Sequence, residues 1–157
     1  MEHLIYFDTG TPFGEIGIAA RGNAVTRVFL KPLDSMAGFD PEVTPLLEEA
    51  RRQLLEYFSG SRRNFDLPLE TEGTDFQKRV WHALLEVPYG RTSSYKELAL
   101  AIGRPTASRA VGMANNRNPL AILVPCHRIV GTDGSLTGYA GGLDKKSFLL
   151  KLEKRFA

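Results

Sequence analysis

The sequence predicts an α+β fold in two parts: a small antiparallel sheet with one helix, then a mainly helical part that contains a helix-turn-helix. Three observations support this prediction. Short alternating apolar segments separated by turn clusters fill the first 30 residues, and apolar residues at helical spacing dominate after residue 73. A length of 157 residues suits one compact domain or two small ones. We place a boundary at Thr71 to Gly73, which predicts domains at residues 1–72 and 73–157.

The first domain is predicted to begin with an antiparallel meander, because turn clusters rich in Gly and Pro separate its apolar segments. The predicted strands cover residues 3–7, 15–20 and 24–30. A helix should follow from Pro45, a residue suited to the first helical position, until Gly60 ends it. Alternation over residues 65–69 predicts another short strand. Nothing in this half has the pattern of a catalytic site.

Capping boxes mark two helix starts in the second domain, at Thr74 to Gln77 and at Ser94 to Glu97. A third helix is predicted over residues 106–115, a few residues after the second, and this pair forms the helix-turn-helix candidate. A strand over residues 121–124 and a closing amphipathic helix over residues 143–156 complete the prediction.

The charges are distributed unevenly along the chain, although the net charge is only +2. Residues 1–73 hold seven Lys and Arg against twelve Asp and Glu, a net −5, whereas residues 74–157 hold thirteen against six, a net +7. A basic half of this kind favours a polyanionic partner, and an ordinary solvated basic face is the alternative. No signal pattern opens the chain and no apolar run could cross a bilayer, so we expect a cytoplasmic protein without a membrane partner.

Cys126 is the only cysteine and stands directly before His127 and Arg128, between two runs of β-branched residues. A base and a positive charge beside a thiol are what a nucleophile needs, because the thiolate is the attacking form. Pro125 supports this interpretation, since a structural core strand rarely tolerates a missing N–H. The alternative is a small buried apolar residue. One cysteine, with three histidines at unpaired spacing, predicts no metal and no cofactor.

On an extended strand, Cys126 and His127 would point to opposite sides, so proton transfer between them would need a bridging water or a local turn. A third group should orient the imidazole, and Glu153 on the closing helix is our choice among the acids of the basic half.

The third predicted helix has one long side chain, Arg109, among small residues at positions 107, 108, 110, 112 and 114. Small residues allow a close approach to another surface. If that surface is a nucleic-acid groove, Arg109 could enter the base stack; the alternative is tight packing on a neighbouring helix with Arg109 solvated. Asn118 follows this helix and could fix its angle to the cysteine segment through backbone hydrogen bonds.

Several motifs occur in order around the cysteine: Arg-Ala-Val-Gly, Asn-x-Asn-Pro, Pro-Cys-His-Arg and Gly-Tyr-Ala-Gly-Gly-Leu. Together they resemble the O6-alkylguanine-DNA alkyltransferases, also called methylated-DNA-protein cysteine methyltransferases. The resemblance covers residues 74–156. Over residues 1–70 it rests on length and on the element order of the family's ribonuclease H-like first domain.

The resemblance implies DNA repair in which Cys126 takes an alkyl group irreversibly from O6 of guanine, or O4 of thymine, in double-stranded DNA. The nucleotide would be flipped out from the minor groove, and each protein molecule would act once. His127 would deprotonate the thiol through a water, and Glu153 would hold His127. The protein would be a monomer in solution that can assemble cooperatively on DNA.

The resemblance also implies a set of residues that bind DNA or substrate. Tyr95 would donate to guanine N3, Arg109 would fill the vacated stack, Asn118 would act as a hinge, and the pocket loop would hold Tyr139 and Ala140, where some members carry serine in place of Ala140. Arg128 is counted with this set.

Two other functions remain open from the residues alone. A cysteine hydrolase or thiol peroxidase would use Cys126 and His127 over many turnovers, but it leaves the basic helix-turn-helix unexplained. A non-catalytic protein that flags lesions in DNA is the other, although relatives of that kind replace the acceptor cysteine.

Overall fold

Two compact units divide the chain in the computed structural model, which describes residues 1–157: Met1–Thr71 and Glu72–Ala157. No helix in either unit has both the length and the apolar character needed to span a membrane.

The first unit is built on a four-stranded sheet with the spatial order β3-β2-β1-β4. Its strands are β1 (Glu2–Asp8), β2 (Glu15–Arg21), β3 (Ala24–Phe29) and β4 (Phe39–Asp40). The first three pair antiparallel, which confirms the predicted meander, and the two-residue β4, which was not predicted, lies parallel to β1. The strand predicted at residues 65–69 is wrong: only an isolated bridge joins Leu69 to Val25, because Pro68 has no N–H to continue a ladder.

The helix of the first unit, α1 (Pro45–Phe58), begins as predicted. The Thr44 hydroxyl accepts the Leu47 N–H, and Pro45 occupies the first turn, where its missing N–H is harmless. The helix contacts β2 and β3. Its buried face and the strands form the core through Leu4, Ile16, Ile18, Val25, Leu47, Ala50 and Leu54.

The second unit contains four helices: α2 (Asp75–Leu84), α3 (Tyr95–Ala101), α4 (Ser108–Asn116) and α5 (Leu143–Phe156). Thr74 and Gln77 form the predicted capping box of α2. Ser94 caps α3 by accepting the Glu97 N–H at 3.1 Å, whereas the Glu97 carboxylate accepts from the Ser94 hydroxyl rather than from its backbone. Two short parallel strands, β5 (Ser93–Ser94) and β6 (Ile129–Val130), pair beside these helices.

Helices α2, α3 and α4 contact one another. Trp81 of α2 donates its indole N–H to the carbonyl oxygen of Ala114 in α4 at 2.8 Å, so the buried ring is also hydrogen-bonded. Arg79 of α2 donates to the carbonyl oxygen of Ile102 at the end of α3. These hydrogen bonds fasten α2 to α4 and to the end of α3.

The strand predicted over residues 121–124 is wrong. The segment is a buried loop in which Ile122 has a φ of 72°, a left-handed conformation that is rare for a β-branched residue. The loop folds back on itself, since the Val124 N–H donates to the Leu120 carbonyl oxygen at 2.8 Å. A single 3₁₀ turn, Cys126–Arg128, follows it. Pro119 and Pro125 bracket the loop and remove two N–H groups that a strand would use.

Candidate active site

Cys126 begins the 3₁₀ turn and is only 5% exposed. Burial raises the pKa of its thiol to about 11, although a hydrogen bond with Asn118 and the charge of Lys146 act in the opposite direction. The sequence led us to expect neighbours that lower this pKa. Burial outweighs them because it removes the water that would solvate a thiolate.

His127 is fully buried, and its Nε2 lies 2.7 Å from Glu153 Oε2. Burial lowers the pKa of the imidazole, which keeps the ring neutral. A carboxylate only accepts hydrogen bonds, so Nε2 must carry the proton and Nδ1 must keep its lone pair. Nδ1 is buried and has no hydrogen-bond partner within the protein. The ring therefore presents a free basic nitrogen.

The backbone conformation at Cys126 and His127 differs from the extended strand on which their side chains would point to opposite sides. Because Cys126 and His127 lie in a 3₁₀ turn, they do not alternate between two faces as they would on the predicted strand. Of the two arrangements that the sequence left open, a bridging water or a local turn, the local turn is present.

Glu153 on α5 is where several hydrogen bonds of the site meet. Its Oε1 accepts from Arg128 Nε at 2.8 Å and from the Gly90 N–H at 3.2 Å, while Oε2 accepts from His127 and from Arg128 Nη2. Burial raises the pKa of Glu153, but the hydrogen bonds from His127 and Arg128 outweigh it and hold the pKa at about 2. The carboxylate is therefore charged, and it fixes the tautomer of His127.

Arg128 has a different role from the one predicted for it. Its side chain is 6% exposed, holds Glu153 through two nitrogens and donates from Nη1 to the Val87 carbonyl oxygen at 2.7 Å. A guanidinium buried in this way belongs to the scaffold that orients the imidazole, so we correct its assignment as a DNA- or substrate-binding residue.

Lys146 is a charged residue of the site that the sequence argument missed. It is fully buried on α5, its Nζ donates to the Thr137 carbonyl oxygen, and its charge favours the anionic form of Cys126. Burial lowers the pKa of its ammonium, and the Cys126 sulfur opposes that change. A signal was available in the sequence, because Lys146 precedes Glu153 by two helical turns on the same face as Leu149.

The loop before α5 brings together two tyrosines of the predicted set. Thr137 donates its hydroxyl to Tyr95 Oη at 2.8 Å, and Lys146 binds the carbonyl oxygen of the same threonine. The Tyr139 hydroxyl is buried without a hydrogen-bond partner, and burial together with the nearby Cys126 raises its pKa. Ala140 is exposed next to it. Tyr139 and Lys146 thus lie near Cys126, and Tyr95 is linked to Lys146 through Thr137.

Helix α4 separates its residues clearly between two faces. The exposed face is Arg109, Ala110, Met113, Asn116 and Arg117, and the buried face is Val111, Ala114 and Asn115. The Tyr95 ring packs beside Gly112, where an added Cβ would lie 3.5 Å from it. Packing against neighbouring residues therefore involves Gly112 and the buried Ala114, while Ala110 and Arg109 remain exposed.

Two asparagines at the end of α4 hold the cysteine segment. Asn118 donates to the Val124 carbonyl oxygen at 2.8 Å and accepts the Leu120 N–H at 2.9 Å, in agreement with the backbone role expected for it. Asn115, which the sequence argument did not consider, donates from Nδ2 to the Cys126 carbonyl oxygen at 3.3 Å.

Both units match profiles of known protein domains. The domain described as "6-O-methylguanine DNA methyltransferase, DNA binding domain" matches residues 75–155. The domain described as "6-O-methylguanine DNA methyltransferase, ribonuclease-like domain" matches residues 4–71.

Curated relatives and solved structures agree with these profiles. A methylated-DNA-protein-cysteine methyltransferase of Methanosarcina barkeri is 52% identical over 96% of this chain and 98% of its own length. A constitutive one of Bacillus subtilis is 47% identical over 95% of each chain. The crystal structure of Mycobacterium tuberculosis OGT in complex with DNA superimposes with a TM-score of 0.90 and 46% identity, over 99% of this chain and 94% of that one. Because these similarities extend over nearly the whole sequence, the chain belongs to the methylated-DNA-protein-cysteine methyltransferase family.

Proposed function

We propose that this methyltransferase repairs DNA by moving an alkyl group from O6 of guanine, and from O4 of thymine, to Sγ of Cys126. The observation that carries the proposal is the unpartnered Nδ1 of His127, whose tautomer Glu153 fixes, in the residue that follows the only cysteine of the chain. Family membership supports the reaction type, and one relative was crystallised in complex with DNA.

The first chemical step is removal of the thiol proton. The proton passes from Cys126 Sγ through a water molecule to His127 Nδ1, while Glu153, which Arg128 holds in place, orients the imidazole. Lys146 then stabilises the thiolate by its charge. This activation is needed because burial otherwise keeps the pKa of the thiol at about 11.

The second step is displacement at the alkyl carbon. The thiolate forms a bond between sulfur and carbon as the bond between carbon and O6 breaks, and the electron pair stays on the guanine oxygen. Tyr95 donates a hydrogen bond to guanine N3 as negative charge develops on the purine, and the proton that His127 took from the thiol neutralises the guanine that leaves. A thioether has no bond that water readily hydrolyses, so the protein acts once and is consumed.

Access to the lesion requires that the nucleotide leave the duplex. O6 lies within the base stack, and a thiol that is only 5% exposed cannot reach it there. Helices α3 and α4 form the helix-turn-helix, and the exposed face of α4 lies against the minor groove without reading base sequence. Arg109 projects from that face and fills the space that the extruded nucleotide leaves.

The remaining predicted residues shape the pocket. Asn118 joins α4 to the cysteine segment, Tyr139 forms a wall, and Ala140 offers its backbone N–H to the substrate. The domain at residues 73–157 carries this chemistry, and the domain at residues 1–72 accompanies it as a separate folding unit. The proposal includes a cytoplasmic monomer that can assemble cooperatively on DNA.

Intact-mass measurement tests the proposal most directly. After incubation with duplex DNA containing O6-methylguanine, the protein should gain the mass of one CH₂ group on the peptide that contains Cys126, and Cys126→Ser should gain nothing. Methyl removal that exceeds the amount of protein would contradict the stoichiometric reaction and favour a hydrolase. An unmodified Cys126 would remove the proposal altogether.

A further inference from the structure

Asn115 is a buried polar side chain to which the proposed mechanism gives no part. It lies on the last turn of α4, is 1% exposed and donates from Nδ2 to the Cys126 carbonyl oxygen at 3.3 Å. Its Oδ1 is also buried but has no hydrogen-bond partner. One half of this amide is thus engaged with the nucleophile's own peptide group, and the other half is unsatisfied.

An unsatisfied buried acceptor destabilises a fold, and an apolar side chain of the same size would avoid the penalty. Asparagine at this position is therefore not explained by packing. What it provides, and leucine would not, is the N–H directed at Cys126. The donor half of the amide is the useful half.

The neighbouring contacts show what this donor holds in place. Asn115 lies on the last turn of α4, and Asn118 follows two residues after that helix ends. Asn118 binds the carbonyl oxygen of Val124, and Asn115 binds that of Cys126. Between α4 and these two carbonyls the chain passes through Ile122, whose φ of 72° is an unfavourable conformation that surrounding contacts must maintain.

The Cys126 peptide group is also held by local bonds. Its N–H donates to the Val124 carbonyl oxygen at 2.8 Å, and its carbonyl oxygen accepts the Ile129 N–H. Both of these bonds come from the loop and turn themselves. Asn115 adds a bond from α4, the helix whose opposite face exposes Arg109.

We propose that Asn115 is a positioning residue. Its hydrogen bond links the main chain of Cys126 to α4, and this link keeps the sulfur aligned with a DNA base that is bound beside that helix. The proposal rests on the proposed function. Asn115 does not touch the reacting atoms and acts through the Cys126 carbonyl group. Without it, DNA still binds to the exposed face of α4, but the thiol is less often in the place where it can attack.

Two nearly isosteric variants separate this role from packing. Asn115→Leu removes both polar groups of the amide, so no buried side-chain acceptor is left without a partner. Asn115→Asp keeps the shape of the side chain but replaces the N–H donor by an acceptor. Asn23→Asp, in the exposed turn between β2 and β3, is the matched control. The measurements are the rate constant of methyl transfer from saturating O6-methylguanine duplex, the affinity for undamaged duplex, and the melting temperature.

We expect both Asn115 variants to transfer roughly tenfold more slowly, the size of one lost hydrogen bond, with duplex affinity unchanged within about twofold. Asn115→Leu should melt at or above the temperature of the unmodified protein, which a purely structural role would not produce. Transfer at the normal rate by both variants, or a parallel loss of rate and affinity, would overturn the positioning role. Failure of the unmodified protein to become methylated would instead overturn the proposed function, so the two failures are distinguishable.

Discussion

At the scale of single residues, the site depends on the ionisation of one buried carboxylate. Glu153 is charged because Arg128 and His127 both donate to it, and this charge fixes the proton of His127 on Nε2. The basic Nδ1 is therefore a consequence of an acid that lies on the far side of the ring. Removing the charge should remove the base.

Glu153→Gln tests this dependence. The amide can present its NH₂ group to Nε2, which would favour the opposite tautomer and occupy Nδ1 with the proton. We expect methyl transfer to slow by roughly 100-fold or more, the usual contribution of a general base, while affinity for undamaged duplex stays nearly unchanged. Single-turnover transfer assays and fluorescence anisotropy would measure the two effects.

The same substitution leaves the guanidinium of Arg128 without its anionic partner in a buried position. It should therefore lower the free energy of unfolding by about 3 kcal/mol, and the transfer assay needs a temperature at which circular dichroism shows a folded variant. A normal transfer rate in the folded variant would exclude the orienting role of Glu153.

The pKa of Cys126 predicts how the thiol reacts with small reagents. Burial raises this pKa from 9.0 to about 11, so the thiolate is a small minority at neutral pH and its population increases with each step toward pH 11. The rate of carboxamidomethylation by iodoacetamide should therefore still be rising at pH 10, as followed by mass spectrometry. A rate that levels off below pH 8 would show that the resting thiol is already ionised.

At the scale of elements, α4 combines a packing face and an exposed face in nine residues. Its buried face contacts α2 and α3, and its last turn holds the cysteine segment through Asn115 and Asn118. Its exposed face begins at Arg109. A helix that holds the Cys126 segment on one side and is exposed on the other is suited to bind DNA close to the thiol.

Arg109→Ala should therefore affect two substrates differently. If Arg109 fills the space of an extruded nucleotide as proposed, repair in duplex DNA should fall greatly, and the reaction with free O6-benzylguanine, which has no base stack to leave, should fall much less. Both reactions can be followed by alkylation of Cys126 in the same preparation. Equal losses on the two substrates would remove the intercalating role of Arg109.

At the scale of the whole molecule, the main feature is the separation of charge along the sequence, with a net +7 over residues 74–157 and −5 over residues 1–73. Binding to a polyanion releases counterions, so the affinity for undamaged duplex should fall steeply as salt is added.

Arg117→Gln, on the exposed face of α4, should reduce the slope of log affinity against log salt by about one phosphate contact, close to 0.9. The reaction with free O6-benzylguanine should keep its rate. Arg51→Gln is the control, since Arg51 lies on α1 and pairs with Glu48. Equal changes in slope for the two variants would argue against a specific contact of the α4 face with the phosphates.

An element is predicted correctly from the sequence when neighbouring residues in the chain determine its conformation. The starts of α1, α2 and α3 were predicted well because capping side chains mark them, as at Thr74. Helix α5 has no side-chain cap, and its bounds were predicted from its amphipathic pattern. The three-strand meander was predicted from its turns. The loop around Ile122 was not, because a β-branched residue with positive φ is maintained by tertiary contacts that no local pattern records.

The site was predictable in its chemistry but not in its electrostatics. Cys126, His127 and Glu153 were named from residue type and family resemblance, and the structure brings His127 and Glu153 within hydrogen-bond distance. The direction of the thiol pKa and the buried place of Arg128 depend on burial, which is a property of the folded chain, so the residue order alone did not reveal them. The helical spacing of Lys146 from Glu153, by contrast, was a signal that the sequence offered and the prediction did not use.

The presence of a single cysteine has a practical consequence for anyone who handles this protein. When the protein is denatured and treated with a chromogenic disulfide reagent, each molecule with a free Cys126 thiol would release one equivalent of dye. Each molecule alkylated on Cys126 would release none. A cuvette reading would thus give the unspent fraction of a sample without any lesion-bearing oligonucleotide. Air oxidation would be equally simple to recognise, since a lone sulfur can be linked only to a different molecule.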